Sequence, residues 1–194
     1  PFAAGLSAKY KVAEGATFDT TGAKQADGTR IWDFTTALPG DQSVIVETIA
    51  PDGAWWAADF AGATYASRLS QSADLLGVFE VTADALLLRG VVSPTDGFTA
   101  TKLTYDPPVT VLAFPMKKGD TWSTTSTVSG TATGVFSLYY ESYQSEVDAE
   151  GPVEAKEVLD EGRMVGIVSI GDIVKARIDH LEDERKSLLS YITS

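Results

Sequence analysis

Cysteine is absent from this 194-residue chain, and histidine occurs once, at His180. The absence of thiols excludes disulfides, thiolate nucleophiles and cysteine-ligated zinc or iron–sulfur sites. A single imidazole also excludes multi-histidine metal centres, and its charged neighbours Asp179 and Glu182 indicate a surface position. We therefore predict no catalytic residue and no metal ligand, and we interpret the chain as non-enzymatic.

Long hydrophobic runs and positive charge are also scarce. No apolar run approaches the roughly 20 residues that span a bilayer, so we predict no transmembrane segment. The opening residues lack the charged-then-apolar layout of a signal peptide, and we expect the chain as given to be soluble. The chain has 15 Lys and Arg residues against 27 Asp and Glu, a formal net charge of −12. Because this field repels phosphate backbones, we predict no nucleic-acid partner.

Residues 1–150 are rich in Thr, Ser, Gly, Tyr and Trp, and their apolar runs are short. This texture is typical of β-structure, because β-branched and aromatic residues favour strands while Gly, Pro and Asp favour turns. We predict a mainly β fold over these residues, an antiparallel sandwich, barrel or half-barrel. A short helix is considered around Ser70–Leu76, and a turn is predicted at Asp106-Pro107-Pro108. The predicted strands are Ala8–Ala13, Arg30–Phe34, Ser43–Ile49, Ala63–Leu69, Leu75–Thr82, Ala85–Val92, Ala100–Tyr105, Val109–Phe114, Thr121–Val128 and Gly134–Tyr143.

Aromatic residues occur in adjacent pairs, Trp55-Trp56 and Tyr139-Tyr140. Since neighbouring residues of a strand point to opposite faces, we predict one Trp in the core and its neighbour exposed or covering an edge. An exposed Trp would suit a carbohydrate or apolar-ligand site, but core packing and edge protection are the interpretation adopted here. The carboxylates Glu146, Asp148 and Glu150 are interpreted as solvated rather than calcium-binding.

The composition changes after Glu150. Many carboxylates in residues 141–161 indicate an acidic linker, and the run Arg163–Ile170 predicts one apolar strand. From Asp172 onward, a helical spacing of apolar residues predicts a long amphipathic C-terminal helix. The predicted domains are therefore residues 1–150, an antiparallel β domain, and residues 151–194, an acidic linker with a strand–helix segment.

The predicted strand–helix segment carries a recognisable pattern. Two strands around the turn Asp160-Glu161-Gly162 lead to Gly-apolar-apolar-Ser-x-x-Asp, formed by Gly166, Ser169 and Asp172. This pattern resembles the C-terminal half of a cystathionine-β-synthase (CBS) domain, at about residues 156–194. The resemblance implies an α/β tail in which the last strand is followed by a helix. Residues before Val158 do not supply the first half of such a domain.

Pairs of CBS domains form clefts for adenosine nucleotides, so the resemblance implies AMP or ATP as the ligand of the tail. It makes Ser169 the candidate contact to phosphate or ribose and Asp172 the candidate acceptor for the ribose hydroxyls. The alternative is that both side chains only cap the helix.

A second resemblance lies in the β-rich region. The segment Phe114–Ser123 is similar to segments of uncharacterised bacterial secreted and lipoprotein-like β-proteins. That resemblance implies a secreted or periplasmic location, whereas the CBS-like tail implies the cytoplasm, so the localisation is left open. We therefore also consider a composite chain, either an engineered fusion or two polypeptides, with a junction between about Asp148 and Val158. A single intact mass of 20.6 kDa would contradict the two-polypeptide version.

Two functions follow from these patterns. The first is a non-enzymatic binding or regulatory module, whose CBS-like tail contributes to adenine-nucleotide sensing or to pairing of subunits in a homodimer through the C-terminal segment. The second is an extracytoplasmic β-rich carrier or envelope protein of unknown ligand, with a structural tail. A concave apolar cavity in residues 1–150 would favour the carrier, and a filled core would count against it.

Overall fold

The computed structural model describes residues 2–13, 16–17, 21–31, 33, 38–70, 73–147, 159–160 and 163–164, and its architecture is mainly β. A 3₁₀ turn spans Ala57–Asp59. Among the residues described, no helix is long and apolar enough to cross a membrane. The strands are β1 Ser7–Val12, β2 Ala23–Lys24, β3 Arg30–Ile31, β4 Gln42–Ile49, β5 Tyr65–Arg68, β6 Leu76–Val81, β7 Ala85–Val92, β8 Lys102–Ala113, β9 Thr121–Ala132, β10 Val135–Glu146, β11 Leu159–Asp160 and β12 Arg163–Met164.

Eight of these strands form one antiparallel sheet in the order β1-β4-β5-β6-β7-β8-β9-β10. From β4 onward, strands that are neighbours in the sheet are also consecutive in the chain, as in a meander. The pairs β2–β3 and β11–β12 each form a separate two-stranded sheet. The predicted mainly antiparallel β fold is therefore confirmed for the described part of the chain.

The described residues belong to two compact units. The first contains residues 2–7 and 47–147 and holds both apolar clusters of the sheet. The second contains the described residues between 8 and 46, together with β11 and β12. The domain boundary predicted near residue 150 lies outside the described residues and stays a prediction.

Most predicted strands are confirmed with small shifts at their ends. β7 has the predicted bounds, and β9 and β10 extend beyond the predicted ends to Ala132 and Glu146. The short helix considered around Ser70–Leu76 is wrong, because residues 73–75 are not helical and Leu76 begins β6. Leu76 pairs with Arg68 and Val92 on the two neighbouring strands, and this ladder overrides a weak local helix preference.

β8 runs without interruption through Asp106-Pro107-Pro108, where the sequence predicts a turn between two strands. That turn is wrong because these residues form a bulge within the strand and not a reversal of the chain. The three-residue segment Leu88–Gly90 of β7 lies opposite the six-residue segment Thr104–Val109 of β8. The Ser126 hydroxyl donates a hydrogen bond of 2.6 Å to the Pro107 carbonyl, so β9 satisfies an acceptor of a residue that has no partner in the β7–β8 register.

Two clusters of buried apolar side chains cover opposite faces of the sheet, since adjacent residues Val91 and Val92 belong to different clusters. The first, the Trp56 cluster, consists of Trp56, Phe60, Ala66, Leu76, Val78 and Val92. The second, the Tyr105 cluster, consists of Leu88, Val91, Leu103, Tyr105, Val109 and Val128. Each face of the central strands therefore has its own core.

The tryptophan pair divides as predicted, although it lies in the turn before the 3₁₀ segment and not in a strand. Trp56 is 1% exposed and packs edge-on against Phe60, with ring centroids 6.1 Å apart. Trp55 is half-buried, and its indole N–H donates a hydrogen bond of 3.0 Å to the Ser93 carbonyl. The Lys102 ammonium lies 5.6 Å from the centroid of the Trp55 ring. Trp55 thus covers the margin of the Trp56 cluster.

Candidate functional site at the edge strand

The residues that the sequence singled out for binding fall outside the described part of the chain. This applies to Ser169 and Asp172 and to the predicted C-terminal helix, which stay predictions. β11 and β12 pair Leu159 with Met164 and Asp160 with Arg163, which agrees with the two strands expected around that turn. The described residues contain no group of three His, Cys, Asp or Glu side chains arranged to hold a metal ion.

Strand β10 combines an open edge with exposed apolar side chains. All of its 12 residues pair with β9 in one continuous antiparallel register. β10 ends the strand order, so no described strand pairs with its outer edge. A sheet edge of this kind presents backbone N–H and C=O groups that a further strand can pair with.

The outward face of β10 is apolar where a solvated strand would be polar. Phe136, Leu138 and Tyr140 alternate on this face and are 72%, 61% and 76% exposed, and Val135 beside them is 65% exposed. We call these four residues the β10 strip. Their partners on β9 are short hydroxyl-bearing side chains for the three alternating positions, Thr131, Ser129 and Thr127. These side chains of β9 are therefore too small to cover the strip.

The inward face of β10 is anchored by a buried polar cluster. Glu141 is 2% exposed, and its Oε2 accepts a hydrogen bond from the Tyr143 hydroxyl. Tyr143 in turn packs edge-on against Tyr105, with ring centroids 6.3 Å apart. Burial, followed by the proximity of Tyr105 and Glu141, raises the pKa of Tyr143 well above its ordinary value.

This inward cluster determines what lies on the outward face. Slipping β10 by one residue against β9 would carry Glu141 and Tyr143 into solvent and bring Phe136, Leu138 and Tyr140 inward. Their buried contacts with each other and with the Tyr105 cluster oppose that slip. The strip is consequently held outward by the register and is not the result of a loosely paired strand.

Charge on β10 is low for a strand at the end of a sheet. Its only charged residues are Glu141, which is buried, and Glu146 at its last position, and it contains no Lys, Arg or Pro. β1, at the other end of the strand order, places Lys9 and Lys11 on its exposed face. Exposed lysines on an edge strand discourage pairing with another chain. One terminal strand carries this protection and the other does not.

Phe98 adds to the apolar surface near the start of β10. It is 98% exposed, in the loop between β7 and β8. The Phe98 carbonyl oxygen lies 2.8 Å from the position that a Cβ would occupy on Gly134, in the turn before β10. The backbone that carries this phenylalanine therefore lies against the turn that leads into the strip.

The described surface includes two open depressions, of about 210 and 530 Å³. The larger lies across the ends of β9 and β10, and its lining is mainly polar, with Trp122 the one large aromatic. The smaller lies at the loop that holds Asp96 and Gly97 and is also lined mainly by polar residues. Neither has the apolar lining expected of a lipophilic-ligand pocket.

No family model, curated protein or solved structure matches this chain. The function is therefore inferred from the geometry of β10. The sequence contained part of this signal, since Val-Phe-Ser-Leu-Tyr-Tyr lacks charge and a strand was predicted there. It did not show that β10 would be the last strand of the sheet, because strand order depends on pairing between distant segments.

Proposed function

We propose that this chain is a non-enzymatic binding module that takes an extended partner segment at the outer edge of β10. The supporting observation is the β10 strip, four large apolar side chains between 61% and 76% exposed on a terminal strand. Contiguous exposed apolar surface of this kind is uncommon on soluble proteins and marks interaction sites.

The binding mode follows from the two kinds of group that β10 presents. Its outer edge offers backbone donors and acceptors, and its outward face offers apolar contacts at every second residue. A partner added as a further strand gains main-chain hydrogen bonds from the edge and places its own alternate side chains beside the strip. The buried apolar area then contributes about 25 cal/mol per Å².

The alternative function, an extracytoplasmic carrier, receives less support. The Tyr105 cluster fills one face of the central strands, with Val128 fully buried and Val109 3% exposed, and the Trp56 cluster fills the other. A ligand would have to displace these side chains. The CBS-like tail and its nucleotide ligand remain a separate proposal, based on the resemblance of residues 156–194.

A strand-addition peptide provides the test. The probe is a fluorescein-labelled peptide of alternating valine and threonine, about ten residues long to match a strand. Binding to the full chain is followed by fluorescence anisotropy. A matched peptide with proline at two central positions cannot donate ladder hydrogen bonds there, and we expect it to bind at least about tenfold more weakly.

Variants of the strip locate the binding site. We expect Leu138→Lys and Tyr140→Lys to weaken peptide binding at least about tenfold, because each places a charge within the strip. Ile45→Lys is the matched control, since Ile45 on β4 is 64% exposed against 61% for Leu138. Absence of peptide binding by a monomeric chain, or equal weakening by all three variants, would contradict the proposal.

A further inference from the structure

The sequence of β10 is complementary to itself when it is paired in the antiparallel sense about Leu138. In that register Leu138 lies opposite its own copy, and Phe136 lies opposite Tyr140. Every large apolar residue on the outward face of one strand then meets one from the other strand. Aromatic and aliphatic pairs across an antiparallel ladder each stabilise the pairing by about 0.2–1 kcal/mol.

The charges are compatible with the same register. In the stretch from Val135 to Glu141, Glu141 is the one charged residue. In this register it lies opposite the uncharged Val135 of the other strand. No like charges face each other over this stretch, although each chain carries a net charge of −12. The β10 strip is thus a neutral region at which two acidic chains can approach.

The described strands after β10 do not pair with this edge. β11 and β12 pair with each other in a sheet of their own. Pairing of β10 with the other terminal strand, β1, is opposed by the exposed Lys9 and Lys11. Such pairing would also be head-to-tail and would not close, whereas β10 with β10 is isologous and closes as a dimer.

We propose that the partner of β10 is a second copy of this chain, joined by antiparallel β10–β10 pairing about a two-fold axis at Leu138. This inference rests on the proposed function and specifies its partner. Two eight-stranded sheets would continue into one another across the pairing, and the two β10 strips would lie side by side on one face.

Sedimentation velocity of the full chain over a wide concentration range tests the dimer. We expect a reversible species of twice the 20.6 kDa mass of one chain. Leu138→Lys should raise the dimer dissociation constant at least about tenfold, because it places two ammonium groups opposite each other at the axis. Ile45→Lys should leave the dissociation constant within about twofold.

Charge reversal tests the register itself. Leu138→Lys and Leu138→Glu should each be monomeric alone, and an equimolar mixture should recover the dimer, because residue 138 faces itself only in this register. The absence of cysteine permits a second check. Leu138→Cys should form an intermolecular disulfide on mild oxidation, since Cβ atoms of opposite residues lie about 4.5–5.5 Å apart. Gln144→Cys, near the C-terminal end of β10, should not form this disulfide.

The outcomes separate this inference from the proposed function. A chain that stays monomeric yet binds the valine–threonine peptide through the strip would overturn the inference and keep the function. A dimer that Leu138→Lys leaves intact would overturn the inference too, even with peptide binding at β10. A monomer that does not bind the peptide would overturn both.

Discussion

At the scale of single residues, Gly130 leaves no room for a side chain. It lies in β9 with a φ of +138°, and an added Cβ would lie 2.0 Å from the Lys102 carbonyl oxygen on β8. Because that oxygen is backbone, it cannot move aside without disturbing the β8–β9 ladder. Gly130→Ala should therefore lower the free energy of unfolding by about 2–4 kcal/mol in urea denaturation.

Gly97→Ala is the matched control for Gly130→Ala. A Cβ at Gly97 would have no heavy atom within 4 Å, so its free energy of unfolding should change by no more than about 0.5 kcal/mol. Equal effects of the two substitutions would show that Gly130 is not required for the close approach of β8 and β9.

Tyr65 gives the described region a measurable sensitivity to alkali. Tyr65 is 6% exposed and its ring stacks on that of Phe79, with centroids 5.2 Å apart, and burial raises its pKa from 10.0 to about 12. Above pH 10 the unfolded chain loses this proton while the folded chain retains it. The contribution of Tyr65 to stability is therefore fully present below about pH 10 and is lost as the pH rises towards about 12.

Thermal melting between pH 9 and pH 12 measures this effect. We expect the melting temperature to fall above about pH 10, and to fall less steeply in Tyr65→Phe. Tyr143, whose pKa burial also raises, leaves part of the loss in that variant. An unchanged slope in Tyr65→Phe would exclude Tyr65 as a source of the alkaline loss.

The sequence predicted the position of several side chains but not the burial of Glu141. Alternation along a strand predicts that Tyr139 and Tyr140 lie on opposite faces, and Tyr140 is indeed exposed while Tyr139 packs against the Tyr105 cluster. The same alternation places Glu141 on the Tyr139 face. A carboxylate is expected to be solvated unless a partner is known, and its partner Tyr143 becomes a donor only through the three-dimensional packing.

At the scale of elements, local patterns predicted most strands because each alternates or carries clear turn residues at its ends. The exception is β8, where two prolines within one strand give the sequence pattern of a loop. Its continuity depends on β7, which pairs with β8 on both sides of the bulge, while β9 pairs with Lys102–Asp106 before it. Such pairing joins segments far apart in sequence and has no local signal.

The C-terminal segment yields an element-scale prediction that depends on the CBS resemblance. If Ser169 and Asp172 contact an adenosine nucleotide, isothermal titration of the full chain with AMP or ATP should release or absorb heat, and bound nucleotide should raise the melting temperature. Asp172→Asn should weaken this binding, because it removes the charged acceptor of the ribose hydroxyls.

Asp84→Asn is a suitable control for Asp172→Asn, since Asp84 lies in the turn before β7. Heat and melting temperature that do not respond to either nucleotide would remove the nucleotide proposal. They would leave the β10 proposal unaffected, because the two proposals share no residue.

At the scale of the whole molecule, net charge and the β10 strip have opposite effects on self-association. A charge of −12 keeps chains apart and favours solubility, while an open apolar edge favours association. Which effect wins depends on separation, because charge repulsion acts over about 10 Å at 0.1 M salt and strand pairing acts only at contact. Repulsion therefore sets how often two chains meet, and the strip sets how long they stay together.

This balance predicts that salt strengthens self-association. The pairing about Leu138 contains no opposite charges whose attraction salt could weaken, whereas the repulsion between two acidic chains is screened. Raising sodium chloride from about 0.02 M to about 0.15 M should lower the dimer dissociation constant severalfold in sedimentation equilibrium. A partner recognised through basic residues would bind more weakly over the same range. A dissociation constant that rises with salt would therefore show that ion pairs hold the two chains, and pairing through the neutral β10 strip would be wrong.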